Sequence, residues 1–380
     1  MNRLGLVILI SSLAFSFMGT VWAVYLNSFL SNEAYVGLIS SLFVAISFIS
    51  YFVIIPLIER TNKSKLYIAS SLLIALGYFM YSINNFYIFL AAAITVTIAT
   101  TLRISSMGLI IEHCSKKENL SKNEGYIYTL TNVAWVIGPL LVGFILKEIG
   151  IRWVFIFSSF LIILSIMIFN IAKINCKIKK KRIDGDMLKN FKDFFKSKNR
   201  RKAYLLGAGV NFWWSLIYIY FPLLIIKHLH EDYVGYLLFA VVVPLVLSQY
   251  YFGKLAGKIG FRKMFFVGFL IPTIAAIICF IFFNNFIVVA IALILASIGL
   301  AMTESTTEAY FFDICKKEES QRFYPPYNTA IDAGYLAGEL LPALMLLFLP
   351  IKFIFLLYAA GLLCLTLVSL TIKDIIENHK

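Results

Sequence analysis

The chain has 380 residues, of which 61% are hydrophobic and only 14% are charged, and its formal net charge is +14. A water-soluble domain carries about 25% charged residues. The composition therefore excludes an ordinary soluble protein and favours an integral membrane protein.

Apolar runs of about 20 residues predict helices that cross the bilayer. The sequence contains twelve such runs, here called spans 1 to 12. A β-barrel is disfavoured, because its strands would alternate in ~10-residue pieces. In chain order the spans cover approximately residues 5–28, 34–57, 66–83, 86–111, 126–147, 153–174, 203–226, 233–253, 264–283, 286–312, 323–349 and 351–372.

Span 1 also has features of a cleavable signal peptide, since Arg3 precedes an apolar core and Ala23 is a small residue at a possible cleavage site. The apolar run nevertheless continues through Leu26, and the repeat described below needs this helix as the partner of span 7. We therefore expect span 1 to be retained as a membrane helix.

The basic residues are distributed unequally between the two sides of the predicted membrane. With the N-terminus in the cytoplasm, cytoplasmic segments hold 29 of the 34 Lys and Arg residues and external loops hold four. The positive-inside rule then predicts a multi-pass protein of the cell membrane with both termini in the cytoplasm. Topology and attraction to anionic lipids explain the basic charge, so we expect no nucleic-acid partner.

The cysteines and histidines do not indicate a bound metal or cofactor. Five cysteines and four histidines are scattered along the chain, and no two cysteines have the CxxC spacing. P-loop, GxSxG and HExxH motifs are also absent from the sequence. ATP-driven pumping and hydrolysis by this chain are therefore disfavoured, and we expect no enzymatic activity.

The second half of the sequence repeats the first at an offset of about 200 residues. Asn84-Asn85-Phe86 recurs as Asn284-Asn285-Phe286. Because each half has six spans, an even number, both enter the membrane in the same orientation and form parallel repeats. This predicts an N-terminal bundle over 1–174, a basic cytoplasmic linker over 175–202 and a C-terminal bundle over 203–380. Residues 186–196 of the linker predict either a short amphipathic helix on the inner leaflet or a solvated segment.

The double repeat and two short motifs together resemble a known family. Residues 253–263 read GKLAGKIGFRK, which resembles the gating motif G-x-L-a-D-R/K-x-G-R/K-R/K of the major facilitator superfamily, with Gly257 in place of the acid. The first-half copy keeps an acid and a base at Glu59 and Arg60 but lacks both glycines. The residues assigned to this gate are Glu59, Arg60, Gly253, Gly257, Lys258, Gly260 and Arg262. A solvated turn that only fixes topology is the alternative.

Span 5 carries the second motif. Its sequence Gly125-x8-Ala134-x3-Gly138-Pro139 is similar to the antiporter motif of proton-coupled drug exporters in the same superfamily. Small residues permit close helix approach and proline bends a helix, so Gly138 and Pro139 are expected at a sliding interface, with generic packing as the alternative. The resemblance implies an all-α integral membrane fold of twelve transmembrane helices in two parallel six-helix repeats.

Five charged residues lie deep inside the spans: Arg103 in span 4, Glu304 and Glu308 in span 10, and Asp332 and Glu339 in span 11. A charge at the bilayer centre costs about 2.5–3.5 kcal/mol on insertion scales, so such residues face protein or water. In the superfamily that the chain resembles, spans 1, 4, 7 and 10 line a central cavity. From the helical rise, Arg103 and Glu304 are expected at the same depth, about 14 Å from the cytoplasmic end.

We predict that these carboxyl groups bind protons reversibly. Desolvation raises the pKa of a carboxyl and a nearby guanidinium lowers it, so movement of water, substrate or Arg103 would switch proton affinity. The sequence favours Glu308 as the proton site, followed by Asp332, Glu304 and Glu339. The alternative is static pairing with Arg103 and hydrogen bonding to neighbouring hydroxyls.

Aromatic and polar side chains of spans 1, 5, 7 and 8 are candidates for the substrate cavity. The adjacent Trp213 and Trp214 cannot both face one side, so one is expected to line the cavity and the other to pack. The full set is Trp22, Tyr25, Tyr128, Asn132, Asn211, Trp213, Trp214, Tyr218 and Gln249.

The leading hypothesis is a monomeric secondary transporter that works by alternating access and exports a small amphipathic or cationic compound in exchange for protons. An acidic, aromatic cavity favours such a compound over an anion. Proton-driven uptake of a nutrient, and a membrane sensor on a transporter fold without flux, are the alternatives.

Overall fold

The computed structural model describes residues 2–114, 120–172, 187–315 and 317–373. Within these ranges the regular structure is entirely helical, which confirms the predicted fold class. Eleven described helical segments are long and apolar enough to cross a membrane. Predicted span 11 is interrupted at Thr329, so its principal helix has 17 residues.

The chain folds into two compact units. The first comprises Met1–Phe29, Leu42–Ile183 and Ile225–Phe239, and the second comprises Leu30–Ser41, Asp184–Leu224 and Ala240–Lys380. The start of span 2 thus packs with the second unit and the start of span 8 packs with the first.

Six helices account for spans 1 to 6. The third helix packs closely against the fourth and the sixth. The helices are α1 (Asn2–Leu30), α2 (Glu33–Arg60), α3 (Lys63–Tyr81), α4 (Phe86–Cys114), α5 (Leu120–Glu148) and α6 (Ile151–Ile171).

The remaining helices form the linker and spans 7 to 12. They are α7 (Met187–Lys196), α8 (Lys198–Ser215), a π-helix (Leu216–Tyr220), α9 (Phe221–His228), α10 (Tyr233–Ile259), α11 (Phe261–Ile281), α12 (Phe286–Ile314), α13 (Lys317–Asn328), α14 (Ala330–Leu346), a 3-10 helix (Ile351–Phe353) and α15 (Ile354–Leu370). In the second unit, α8 packs against α12, α14 and α15, and α11 packs against α12 and α15.

The internal repeat is visible in the helix boundaries. Helices α4 and α12 each have 29 residues and begin at Phe86 and Phe286. Asn85 Oδ1 accepts a hydrogen bond from the backbone N–H of Ile88 (3.2 Å), and Asn285 Oδ1 accepts one from Val288 (3.3 Å). Since a helix start leaves backbone donors unsatisfied, the repeated asparagines fix the start of the same helix in each half.

A glycine–serine contact is repeated in the same way. A Cβ atom added at Gly138 of α5 would lie 2.7 Å from Ser16 Cβ of α1, and one added at Gly338 of α14 would lie 2.9 Å from Ser215 Cβ of α8. Glycine therefore allows each helix pair to approach closely. The contact assigns a packing role to Gly138, within the first unit.

The linker helix α7 is docked on the second unit. Phe194 is fully buried, and its ring lies near Phe311 of α12 and Phe323 of α13. Arg200 donates to the Phe194 carbonyl oxygen (3.1 Å) and its guanidinium lies 4.0 Å from the Phe323 ring centroid. The most buried apolar side chain of α7 therefore contacts protein rather than lipid.

Asp193 adds an ionic contact to this docking. Its carboxylate accepts a hydrogen bond from Lys196 Nζ (2.7 Å) and another from Arg322 of α13. These hydrogen bonds, from Lys196 first and also from Arg322, hold the pKa of the Asp193 carboxyl below its ordinary value of 3.8. Because the pKa is lowered in the folded protein, the contribution of the ionised carboxyl is present at neutral pH and is lost only as pH falls through that lowered value.

Substitution of Gly338 by alanine tests the repeated contact. The added methyl group would meet the Phe212 carbonyl oxygen at 2.8 Å as well as Ser215, so we expect destabilisation of about 1–3 kcal/mol. Gly108→Ala is the matched control, because no heavy atom lies within 4 Å of its added Cβ. Thermal unfolding in detergent micelles measures both. Equal unfolding midpoints for the two variants would show that the close contact at Gly338 does not contribute to stability.

Substitution of Asp193 by alanine tests the docking of α7. Loss of the carboxylate removes the contacts to Lys196 and Arg322, so amide hydrogen exchange across α7 should rise roughly fivefold. Lys189→Ala, on an exposed position of the same helix, is the control. After correction for intrinsic rates, native α7 should exchange equally at pH 7 and pH 5. Faster exchange at pH 5 would show that the pKa of the Asp193 carboxyl is too high for its carboxylate to hold α7 in place at that pH.

Candidate functional site

A helical irregularity lies at the centre of the second unit. Between α8 and α9, the π-helix Leu216–Tyr220 interrupts span 7, with the N–H of Phe221 donating to the Leu216 carbonyl oxygen. The first-half counterpart α1 is an uninterrupted α-helix. Single π-helical turns are rare and occur frequently at functional sites. The sequence signal for it is Pro222, which has no N–H to donate to the preceding turn.

The carboxyl of Glu304 on α12 contacts the helix that precedes this irregularity, α8. The indole Nε1 of Trp214 donates a hydrogen bond to Glu304 Oε2 at 3.1 Å. Trp214 is 9% exposed while Trp213 is completely buried. The two neighbouring tryptophans therefore have different environments, and Trp214 contacts the acid.

Two tyrosine side chains also interact with the Glu304 carboxyl. The ring of Tyr218 lies 5.5 Å from that of Trp214, and both Tyr218 and Tyr335 of α14 interact electrostatically with the Glu304 carboxyl. Glu304 itself is half-buried. The indole therefore contacts the carboxyl and the two phenols lie within electrostatic range of it, and we call this set the Glu304 cluster (Trp214, Tyr218, Glu304 and Tyr335).

Glu308 lies one turn further along α12 and is exposed. Its Oε1 accepts a hydrogen bond from the hydroxyl of Tyr324 of α13 at 2.5 Å. The Tyr324 ring stacks on Phe312, with ring centroids 5.4 Å apart. Glu308, which the sequence favoured as the proton site, therefore contacts α13 and is not part of the Glu304 cluster.

The two acids of α14 differ in burial. Asp332 is half-buried and interacts electrostatically with Tyr204 and Tyr335. Glu339 is only 5% exposed, and its Oε2 has no hydrogen-bond partner among the described residues. Glu339 is thus the more deeply buried carboxyl of this helix.

Arg103 is buried in the first unit, with 7% exposure. Its guanidinium donates a hydrogen bond to Ser11 Oγ of α1. It also lies over the rings of Phe15 (4.8 Å) and Tyr67 (5.5 Å). A hydroxyl and two aromatic faces thus surround this charge, and cation–π contacts favour a guanidinium.

The other candidate residues of the first unit occupy varied environments. Tyr25 is buried and donates a hydrogen bond to the Tyr81 carbonyl oxygen at 2.6 Å. The Trp22 ring packs 5.4 Å from Phe43. Tyr128 is 49% exposed and Asn132 is half-buried, both on α5, where Gly138 and Pro139 are buried.

Two further candidates lie in the second unit. Asn211 Nδ2 donates to the Gly207 carbonyl oxygen at 3.2 Å within α8, and Gln249 is half-buried in α10. Their assignment to the substrate cavity stays a prediction.

The gating motif forms the turn between α10 and α11. Gly253 and Lys258 are exposed, while Gly257 and Gly260 are buried. Gly260 has φ 89°, a backbone conformation that favours glycine. Arg262 donates to the Ile372 carbonyl oxygen at 2.8 Å and so ties the start of α11 to the end of α15.

The equivalent turn of the first half, between α2 and α3, forms without a glycine at this position. Asn62, at the position of Gly260, has φ −64° and caps α3 by accepting hydrogen bonds from the N–H groups of Ser64 and Lys65. This explains why the glycine is absent there. The side chains of Glu59 and Arg60 lie outside the described part of the chain.

Sequence reasoning named Tyr218 as a candidate but missed Tyr335, Tyr220 and Tyr358. Tyr335 lies three residues after Asp332 and four before Glu339. Residues at these spacings share a helix face, so this signal was available. Tyr220 and Tyr358 come from other helices, and only packing brings them to α14.

Comparison with known proteins gives a consistent result. The family model described as Major Facilitator Superfamily matches residues 4–230 and 203–375. No curated protein matches the chain by sequence.

Solved structures match over nearly the whole length. A POT family transporter in complex with 5-aminolevulinic acid has a TM-score of 0.80 at 10% identity, covering 97% of this chain and 95% of that one. A POT family transporter with a thioalcohol-conjugated peptide has a TM-score of 0.79 at 12% identity, with coverage of 97% and 95%. A mutant of the peptide transporter POT with alafosfalin has a TM-score of 0.79 at 13% identity, with coverage of 97% and 93%. These likenesses establish the shared fold.

Tryptophan fluorescence tests the contact between Trp214 and Glu304. Protonation of the carboxyl changes the charge next to the indole, so emission should contain a pH-dependent component. We expect that component to disappear in Trp214→Phe and in Glu304→Gln. Trp213→Phe is the adjacent control and should retain it. A pH-dependent component that survives Trp214→Phe would show that it arises elsewhere.

Proposed function

The chain belongs to the major facilitator superfamily, and from this premise we propose that it exports a small cationic, amphipathic compound in exchange for protons. Membership and fold make it a multi-span membrane transporter of the secondary type. The finer assignment depends chiefly on one observation, the half-buried Glu304 carboxyl that accepts the Trp214 N–H at 3.1 Å.

A carboxyl in this setting can bind a proton or a cation, but not both. The ionised form attracts a cationic group, and the neighbouring aromatic faces add cation–π attraction. Protonation removes that charge and releases the cation. Because the two ligands compete for one group, the cycle exchanges them, which is the requirement for antiport.

The Trp214 hydrogen bond supports this cycle. A carboxyl oxygen can accept the indole N–H in either protonation state, so the side chain can keep its orientation while its charge changes. A fixed orientation limits the reorganisation that each half of the cycle requires. Tyr218 and Tyr335 supply further polar edges around the same group.

The charge balance favours a cation as substrate. The deep charges on α12 and α14 are Glu304, Glu308, Asp332 and Glu339, all acids. The described contacts of Arg103, the deep base, are with Ser11, Phe15 and Tyr67 in the first unit. We further propose that the protein acts as a monomer in the cell membrane, with its basic segments and both termini in the cytoplasm.

Proton-driven uptake is the second candidate. It is favoured by the likeness to the peptide transporter POT and to a POT family transporter in complex with 5-aminolevulinic acid. That compound carries both an amine and a carboxylic acid. Uptake of such a zwitterion would require a basic partner for its carboxylate as well as an acidic partner for its amine.

Flux in proteoliposomes separates these candidates. Antiport predicts that vesicles acidic inside accumulate a cationic substrate, whereas symport predicts accumulation when the outside is acidic. Glu304→Gln should reduce gradient-driven accumulation at least tenfold, because glutamine cannot take up a proton, while Asp193→Asn should retain it. Transport that ignores the gradient would reject proton coupling. Binding without flux would indicate a sensor.

A further inference from the structure

Helix α14 is weakened at the turn that carries Glu339. Pro342 lies in its interior and has no N–H to donate to the Gly338 carbonyl four residues earlier. That carbonyl accepts a hydrogen bond from the Tyr358 hydroxyl of α15 at 2.6 Å. The next carbonyl, of Glu339, accepts one from the Tyr220 hydroxyl of the π-helix, also at 2.6 Å. Two phenols from other helices thus support this turn.

The Glu339 carboxyl is buried at the same turn, within electrostatic range of both phenols. Its side chain is 5% exposed, and Oε2 has no hydrogen-bond partner among the described residues. The titratable groups that interact with it are the phenols of Tyr220, Tyr335 and Tyr358, from the π-helix, α14 and α15. An unpaired buried carboxylate costs several kcal/mol or takes up a proton instead. The closed arrangement therefore accommodates the neutral acid.

The start of α2 covers this turn, within the second unit. A Cβ atom added at Gly37 would lie 2.8 Å from Ala343 Cβ and 3.2 Å from the Glu339 carbonyl oxygen, and would also meet the Tyr220 hydroxyl. Glycine lets the backbone of α2 approach this closely. Gly37 lies near the first residue of α2, Glu33, at the end opposite the basic loop between α2 and α3.

Tyr335, a member of the Glu304 cluster, also lies within electrostatic range of this buried acid. Tyr335 interacts electrostatically with both Glu304 and Glu339. It lies one turn before Glu339 on α14. Carboxyls and hydroxyls are the kinds of group that a proton path through the unit would use.

We propose that Glu339 exchanges protons with the outer side of the membrane, and that the start of α2 is the cover that controls its access to water. When Gly37 separates from α14, water reaches the carboxyl, and the acid and water interconvert with the carboxylate and hydronium. When the cover closes, the neutral acid is enclosed again. Tyr335 connects this exchange to Glu304. The proposal rests on the proton-coupled function proposed above.

Chemical labelling tests the cover without requiring transport. Dicyclohexylcarbodiimide reacts with protonated carboxyls in apolar surroundings, and mass spectrometry of the full-length protein in liposomes locates the adduct. We expect labelling of Glu339 at pH 7. In Gly37→Leu the larger side chain holds the cover open, so labelling at pH 7 should fall at least fivefold and recover at lower pH.

Two controls keep this experiment decisive. Gly108→Leu adds the same side chain where no heavy atom lies within 4 Å of the added Cβ, and its labelling profile should equal that of the native protein. If Gly37→Leu does not fold, the smaller Gly37→Ala replaces it and should show a smaller change in the same direction. An identical profile in the native protein and the folded Gly37 variant overturns the cover.

Transport distinguishes failure of this inference from failure of the proposed function. Glu339→Gln should lose gradient-driven accumulation at least tenfold but keep substrate exchange at equal pH, because Glu304 is intact. Glu339→Asp should restore part of the driven transport. Driven transport that persists in Glu339→Gln overturns the role of Glu339 and leaves the proposed function standing. If the native protein shows no driven transport, the proposed function fails, and the proton exchange assigned to Glu339 fails with it.

Discussion

The bilayer core offers no water to backbone or side-chain polar groups, so each must find a partner inside the protein. This constraint explains the helices and also the many hydroxyls that donate to a carbonyl of their own helix, as Ser70, Thr273 and Thr366 do. Where Pro342 removes a backbone donor, the Tyr358 hydroxyl takes its place. Against this background, the Glu339 carboxyl with its unpartnered oxygen is a costly exception, and such exceptions in membrane helices are usually functional.

The two halves share the same packing contacts, but they differ in their ionisable residues. The capping asparagines Asn85 and Asn285 and the glycine contacts of Gly138 and Gly338 occur at equivalent positions. Among the residues that the structure describes, the π-helix occurs in the second half alone, and the four deep acids lie in that half of the sequence as well. Since the scaffold contacts recur in both halves, the acids are not needed to build a bundle of this kind. Their cost is better explained by what they bind than by what they stabilise.

The sequence predicted where the acids lie along their helices but not which residues surround each acid. Helical rise predicts the depth of Glu304, and the positions of the four acids on α12 and α14 agree with the predicted spans. It could not show that Glu308 would be exposed beside Tyr324, or that Glu339 would lie under the start of α2. Burial depends on which distant segments cover a given face, and those segments are separated from the acids by up to about three hundred residues in the sequence.

The membrane class, the double repeat and the superfamily could be predicted from the amino-acid sequence. Hydropathy, repeat offset and turn motifs are all local properties that can be read along the chain. The contact of Glu304 with Trp214 rather than Trp213, and the burial of Glu339, could be seen only in the folded protein. These features depend on the side chains that neighbouring helices bring together, and the physical reason is that packing, not propensity, sets the environment of a polar group in a membrane.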